Sequence, residues 1–132
     1  MPNYLLNVDN ALVVPVGKKV RLLLTSQDVI HAWWVPDLSV KKDAIPGVMN
    51  QLWFEIKPDK AGLYRGQCAE LCGRDHGFMP VVVRGVEQAE YDSWLASQKA
   101  ARQAAAAPAA QAATAATTNA NETTTVLVAN AE

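Results

Sequence analysis

The stretch Gly62-Leu63-Tyr64-Arg65-Gly66-Gln67-Cys68-Ala69-Glu70-Leu71-Cys72-Gly73-Arg74-Asp75-His76-Gly77-Phe78-Met79-Pro80-Val81-Val82-Val83-Arg84 decides how this chain is read. Its two ends, Gly62 to Gln67 and Met79 to Arg84, are short β-prone runs. The loop between them, Cys68 to Pro80, carries two thiols, an imidazole and a thioether. Two strands that hold out a loop of soft donors describe both a fold and a chemistry.

Working outward, the whole of Tyr4 to Arg84 consists of short β-rich runs punctuated by Pro, Gly, Asn and Asp, the pattern of an antiparallel sandwich. The remaining strands are expected at Tyr4 to Val8, Leu12 to Val14, Lys19 to Thr25, Ala32 to Val35 and Gln51 to Ile56. In Lys19 to Thr25, alternation puts Val20, Leu22 and Leu24 on one face, which should meet the core. Turns are expected at Pro15-Val16-Gly17, Ile45-Pro46-Gly47 and Pro58-Asp59-Lys60-Ala61-Gly62, where proline fixes φ and glycine permits positive φ. After Gly85 the period changes. Tyr91, Trp94, Leu95 and Gln98 fall at helical spacing with Glu87 and Glu90 at the positive end of the dipole, so a helix is expected from about Glu87.

Beyond Lys99 the chain turns to Ala, Thr, Gln and Asn with Pro108, lacking the large apolar side chains that offset ordering entropy. The expected organisation is an all-β domain over 1–98, followed by a disordered Ala-rich, low-complexity tail over 99–132. High alanine propensity allows the first part of that tail to extend the helix.

The 132 residues are half apolar, enough for one core. A net charge of −1 gives no basic field of the kind nucleic acid requires, so no DNA or RNA partner is expected. Two cysteines four residues apart are not a disulfide framework. No apolar run approaches the roughly 20 residues of a membrane-spanning helix, and the sequence as written is expected to be soluble.

Thiolate and thioether are soft ligands that suit Cu(I), and imidazole suits both copper oxidation states. Cys72, His76 and Met79 together with His31 reproduce the donor set of a mononuclear blue-copper site, which leaves Cys68 as one thiolate too many. Two thiolates on one turn can each bridge two metals, so a binuclear copper centre with one histidine at each end is the favoured arrangement. His31 sits in the apolar, aromatic run Val29-Ile30-His31-Ala32-Trp33-Trp34-Val35-Pro36, where burial is expected to lower its pKa and keep it neutral. On the residues alone, three alternatives stand beside this one. They are a Cys68–Cys72 disulfide, a tetrahedral zinc on Cys68, Cys72, His76 and His31, and a redox-active cysteine pair.

Two separated motifs agree in order and spacing with one family. Cys-x-Glu-x-Cys-x-x-x-His-x-x-Met-Pro is matched from Cys68 to Pro80. His31-Ala32-Trp33-Trp34-Val35-Pro36 and Lys42-Asp43-Ala44-Ile45-Pro46-Gly47 match the segments upstream. From about Tyr4 to Leu95 the chain resembles the CuA domain of subunit II of haem-copper cytochrome c oxidases. The resemblance implies a cupredoxin-like antiparallel β-sandwich of Greek-key type on the periplasmic face of the bacterial inner (plasma) membrane. It implies two coppers held by His31, Cys68, Cys72, His76, Met79 and the backbone carbonyl of Glu70, with the Glu70 side chain offered to a magnesium at the subunit I interface.

By the same resemblance the domain accepts electrons from cytochrome c and passes them to haem a in subunit I. It would be part of a proton-translocating oxidase, with no catalysis of its own. Asp9 and Asp28 fall where the family places acidic residues that dock basic cytochrome c. This sequence lacks the family's transmembrane helices, through which the membrane would be engaged, and its first, aromatic strand. The competing functions are the CuA domain of nitrous oxide reductase and a copper carrier protein.

Overall fold

The computed structural model describes residues 3–119. Among them the chain forms β1 (Leu12–Pro15), β2 (Lys19–Leu24), β3 (His31–Val35), β4 (Val40–Ala44), β5 (Asn50–Glu55), β6 (Gly62–Cys68), β7 (Pro80–Val86) and α1 (Gln88–Asn119). One sheet has the order β1-β7-β6-β3-β4, and β2 pairs with β5 in a second, two-stranded sheet. All pairs are antiparallel except β1 with β7. A parallel pair needs a long connection, and here the rest of the domain supplies it.

Alternation decides what each strand buries. Val20, Leu22 and Leu24 turn inward from β2 while Lys19, Arg21 and Leu23 stay exposed. The ladder sets Val20 opposite Phe54 and Leu22 opposite Leu52. Between the sheets lies a core of Val14, Val16, Val35, Phe54, Ile56 and Val83. Trp33 of β3 stacks on Phe54 of β5 with ring centroids 6.0 Å apart, so each sheet contributes one ring to the join. The closest approach is at Gly66 of β6: a Cβ built there would lie 1.9 Å from the Trp34 carbonyl oxygen. β3 can cross β6 this tightly only because that side chain is missing.

One expected strand is absent and one strand is added. Tyr4 to Val8 is not a strand: the Leu6 N–H closes a turn onto the Asn3 carbonyl at 2.9 Å, and Asn3 and Leu5 have φ of 58° and 60°. Positive φ is incompatible with extended pairing. The Arg65 guanidinium holds the segment through the Leu6 carbonyl and Asn7 Oδ1. Conversely, β4 was not anticipated, because Lys41, Lys42 and Asp43 have low strand propensity. It forms as the antiparallel return of β3 after the 3-10 turn Pro36–Leu38, with Ser39 at φ 55°.

Contacts divide the chain into two units, with the division between Trp94 and Leu95. In the first, Glu90 at the start of α1 pairs with Arg84 at 2.8 Å, and Tyr91 and Trp94 place their rings 5.8 Å apart. In the second, the Ala-rich segment continues the helix to Asn119, as alanine propensity allows. The part of the expected disordered tail over 120–132 lies outside the described residues. No helix among the described residues is long and apolar enough to cross a membrane.

Candidate metal centre

The β3–β6 pairing sets Trp33 opposite Cys68, and the Ala69 N–H extends it to the Ala32 carbonyl at 3.0 Å. His31 and Trp33 share a face by alternation, so His31 and Cys68 open onto the same side. After Cys68 the chain leaves the sheet and returns at Pro80, and the Cys68 N–H to Met79 carbonyl bond, 3.0 Å, closes the neck of this loop. Two short turns, His76 N–H to the Gly73 carbonyl and Phe78 N–H to the Asp75 carbonyl, wind the loop back over the sheet. Gly73, at φ 131°, makes the bend that a larger residue would resist.

This brings five of the expected ligand side chains together. His31 Nδ1 lies 3.9 Å from Cys68 Sγ, and the two sulfurs are 3.9 Å apart. Cys72 Sγ is 3.3 Å from His76 Nδ1 and 3.4 Å from Met79 Sδ, while Cys68 Sγ is 3.3 Å from the Glu70 carbonyl oxygen. The donors form a row, histidine–cysteine–cysteine–histidine, with a weak donor beside each sulfur. The ligand atoms of His31, Cys68 and Cys72 lie within 4.8 Å of one another, and His76 stands outside that triangle, against Cys72. A single tetrahedral ion would draw all four to one point. Both thiols are free, at nearly twice the roughly 2.05 Å of a disulfide bond. The soft donor set of two sulfurs, two imidazoles and a thioether fits copper.

Cys68 is buried and Cys72 half-buried. Burial, the largest influence on Cys68, opposes ionisation. Backbone hydrogen bonding at Glu70 and Ala32, and bonds to His31 and Cys72, outweigh it and bring its pKa to about 7. Burial and the neighbouring Cys68 push Cys72 up. His31 reverses the sequence expectation: its pKa is raised, because Asp28 Oδ1 lies 2.8 Å from its Nε2 and the charged form gains more from that carboxylate than it loses by burial. On one side the centre borders a cavity of about 290 Å³ lined by His31, Cys68 and Met79 with Leu24, Trp33 and Val81.

Of the other expected site residues, Glu70 reaches the centre with its carbonyl, and the residue is exposed. Asp9 is exposed in the segment before β1, with no contact to the centre among the described residues. Asp28 is exposed and in contact with His31, a link the sequence reading missed. The separation of three in Asp28-Val29-Ile30-His31 was the available signal.

Residues 2–86 match the family model for the periplasmic domain of cytochrome c oxidase subunit II. The chain belongs to the cytochrome c oxidase subunit II family. Cytochrome c oxidase subunit 2 of Cyanidium caldarium is 49% identical over 94 residues, which make up 71% of this chain and 36% of that protein. The chain thus spans between about a quarter and a third of the length of the curated subunit II relatives it matches. Among solved structures, the periplasmic domain of subunit II of cytochrome oxidase (CoxB) of Bradyrhizobium japonicum superposes with a TM-score of 0.71 at 49% identity. The match covers 75% of this chain and 70% of that one. The same domain, caught in a mixed disulfide with a thioredoxin-like protein, superposes at 0.62 over 73% of this chain and 66% of that one, again at 49% identity. With this subunit II neighbour, the cupredoxin-like β-sandwich expected from the sequence is the fold of the first unit.

Proposed function

We propose that this chain is the electron-accepting CuA domain of a respiratory terminal oxidase, taking electrons from cytochrome c and passing them to haem a in subunit I. The observation that carries the reading is the donor row from His31 Nδ1 through Cys68 and Cys72 Sγ to His76 Nδ1, with Met79 Sδ and the Glu70 carbonyl beside the sulfurs. Two coppers held there would supply a one-electron couple whose charge is shared over both ions, so that bond lengths change little on transfer. The chain's own residues do the rest. Cys68 and Cys72 present adjacent sulfurs, the two histidines cap the ends, the bond from the Cys68 N–H to the Met79 carbonyl closes the neck of the loop, and the bond from the Ala69 N–H to the Ala32 carbonyl keeps it in register with β3.

Exposed Leu71 and Phe78 on the ligand loop offer apolar contact to a partner. Asp9 and Asp28 offer it negative charge, as suits a basic cytochrome c. The Glu70 side chain is free to meet a magnesium at a subunit I interface. The setting is the periplasmic face of the inner membrane, within a proton-translocating complex whose oxygen chemistry lies in another subunit. Electron paramagnetic resonance on the copper-loaded, oxidised chain, with a metal-to-protein ratio, tests the reading. Hyperfine structure from one electron over two copper nuclei, with about two coppers per chain, is expected. A single-nucleus pattern, or stoichiometric zinc, would overturn it.

A further inference from the structure

A hydrogen-bonded relay reaches the centre through a residue outside the ligand set. Ser26 Oγ donates to Asp28 Oδ1 at 2.8 Å, and the Asp28 N–H donates back to Ser26 Oγ at 3.3 Å, so the carboxylate is held by its own turn. The same carboxylate oxygen lies 2.8 Å from His31 Nε2. An ionised carboxylate only accepts, so Nε2 carries the proton. In neutral His31 the lone pair then sits on Nδ1, the atom that faces Cys68 Sγ at 3.9 Å. His76 likewise turns its Nδ1 to a sulfur, that of Cys72 at 3.3 Å.

We propose that Asp28 is a positioning residue of the metal centre: it fixes His31 as the Nε2–H tautomer with Nδ1 presented to Cys68. The consequence for a bound metal rests on the copper reading above, whereas the tautomer stands without metal. A ligating imidazole that donates to a carboxylate is oriented by it and is a more basic ligand. His31 is therefore held in its ligating orientation by a carboxylate that its own turn fixes. The Asp28 side chain is 70% exposed against 20% for His31, so replacing it disturbs the ligand's hydrogen bond far more than any packing.

Long-range ¹H–¹⁵N correlation spectra of the metal-free, reduced full chain, at a pH where the imidazoles are neutral, read both tautomers directly. His31 is expected as Nε2–H in the parent chain. Asp28→Asn, whose amide donates as well as accepts, gives a tautomer mixture at His31 with His76 signals unmoved, and Asp28→Glu restores the parent state at least in part. Ser26→Ala, which loosens the carboxylate without removing it, shifts His31 the same way by less, and it serves as second variant if Asp28→Asn does not fold. In the copper-loaded chain, Asp28→Asn weakens copper retention against a chelator by roughly 10- to 100-fold. It also raises the reduction potential, since a negative charge that favours the oxidised state is gone. A His31 tautomer indifferent to both substitutions overturns the proposal. If the parent chain takes up no copper while the tautomer still follows Asp28, the copper reading falls and the positioning role stands.

Discussion

Cys68 and Cys72 lose their protons as a pair, because the first thiolate formed lies 3.9 Å from the second sulfur. Cys68, helped by backbone hydrogen bonds, goes first, at about 7, and its charge then joins burial in holding the Cys72 proton. Thiolate absorbance of the metal-free chain against pH is therefore expected in two steps, one near pH 7 and one above the ordinary thiol range. Cys68→Ser removes the lower step and, on copper loading, leaves at most a mononuclear site. A single step at an ordinary thiol pKa would show that the sulfurs do not interact. Met79 is a different kind of donor: its thioether is neutral and weak, 3.4 Å from Cys72. Met79→Leu is expected to retain copper with a shifted reduction potential, as read by voltammetry, and complete loss of metal would assign Met79 a stronger role.

The elements that place these residues are β3 and β6, and they fit because Gly66 has no side chain. Gly66→Ala forces a methyl group to within 1.9 Å of the Trp34 carbonyl unless the strands part. Overpacking of this kind costs about 1–3 kcal/mol, or more where the obstacle is backbone. The urea midpoint should fall accordingly. Copper uptake should weaken as well, since the same pairing aligns His31 with Cys68, and an unchanged midpoint would mean that β3 and β6 adjust freely. Spacing alone made the ligand loop legible, because the donors from Cys68 to Met79 lie within twelve residues and no long-range fold is needed to gather them. It could not show β4, whose lysines and aspartate gain strand pairing only from their neighbour β3. Nor could it show that Tyr4 to Val8 turns rather than extends, a choice made by φ at Asn3 and Leu5 and by Arg65 from fifty-nine residues away. The sign of the His31 shift was lost for a similar reason, since burial was visible in the sequence and the Asp28 contact was not.

At the scale of the whole molecule, all of the core and every candidate ligand among the described residues lie before Trp94, and we propose residues 1–98 as the functional domain. A chain ended at Gln98 is expected to keep the unfolding midpoint and copper stoichiometry of the full chain, by circular dichroism and metal analysis. Loss of either would give the Ala-rich segment a structural part. The ligand geography also sets an order of events. The loop supplies donors that are neighbours in the chain, whereas His31 reaches Cys68 across 37 residues and only once β3 has been laid against β6. On the copper reading proposed above, a newly made chain would catch one ion with the loop alone before it is folded and complete a pair only afterwards. Full metal loading would in that sense be a certificate of finished folding, issued last, and a misfolded domain would be marked by carrying half a cargo.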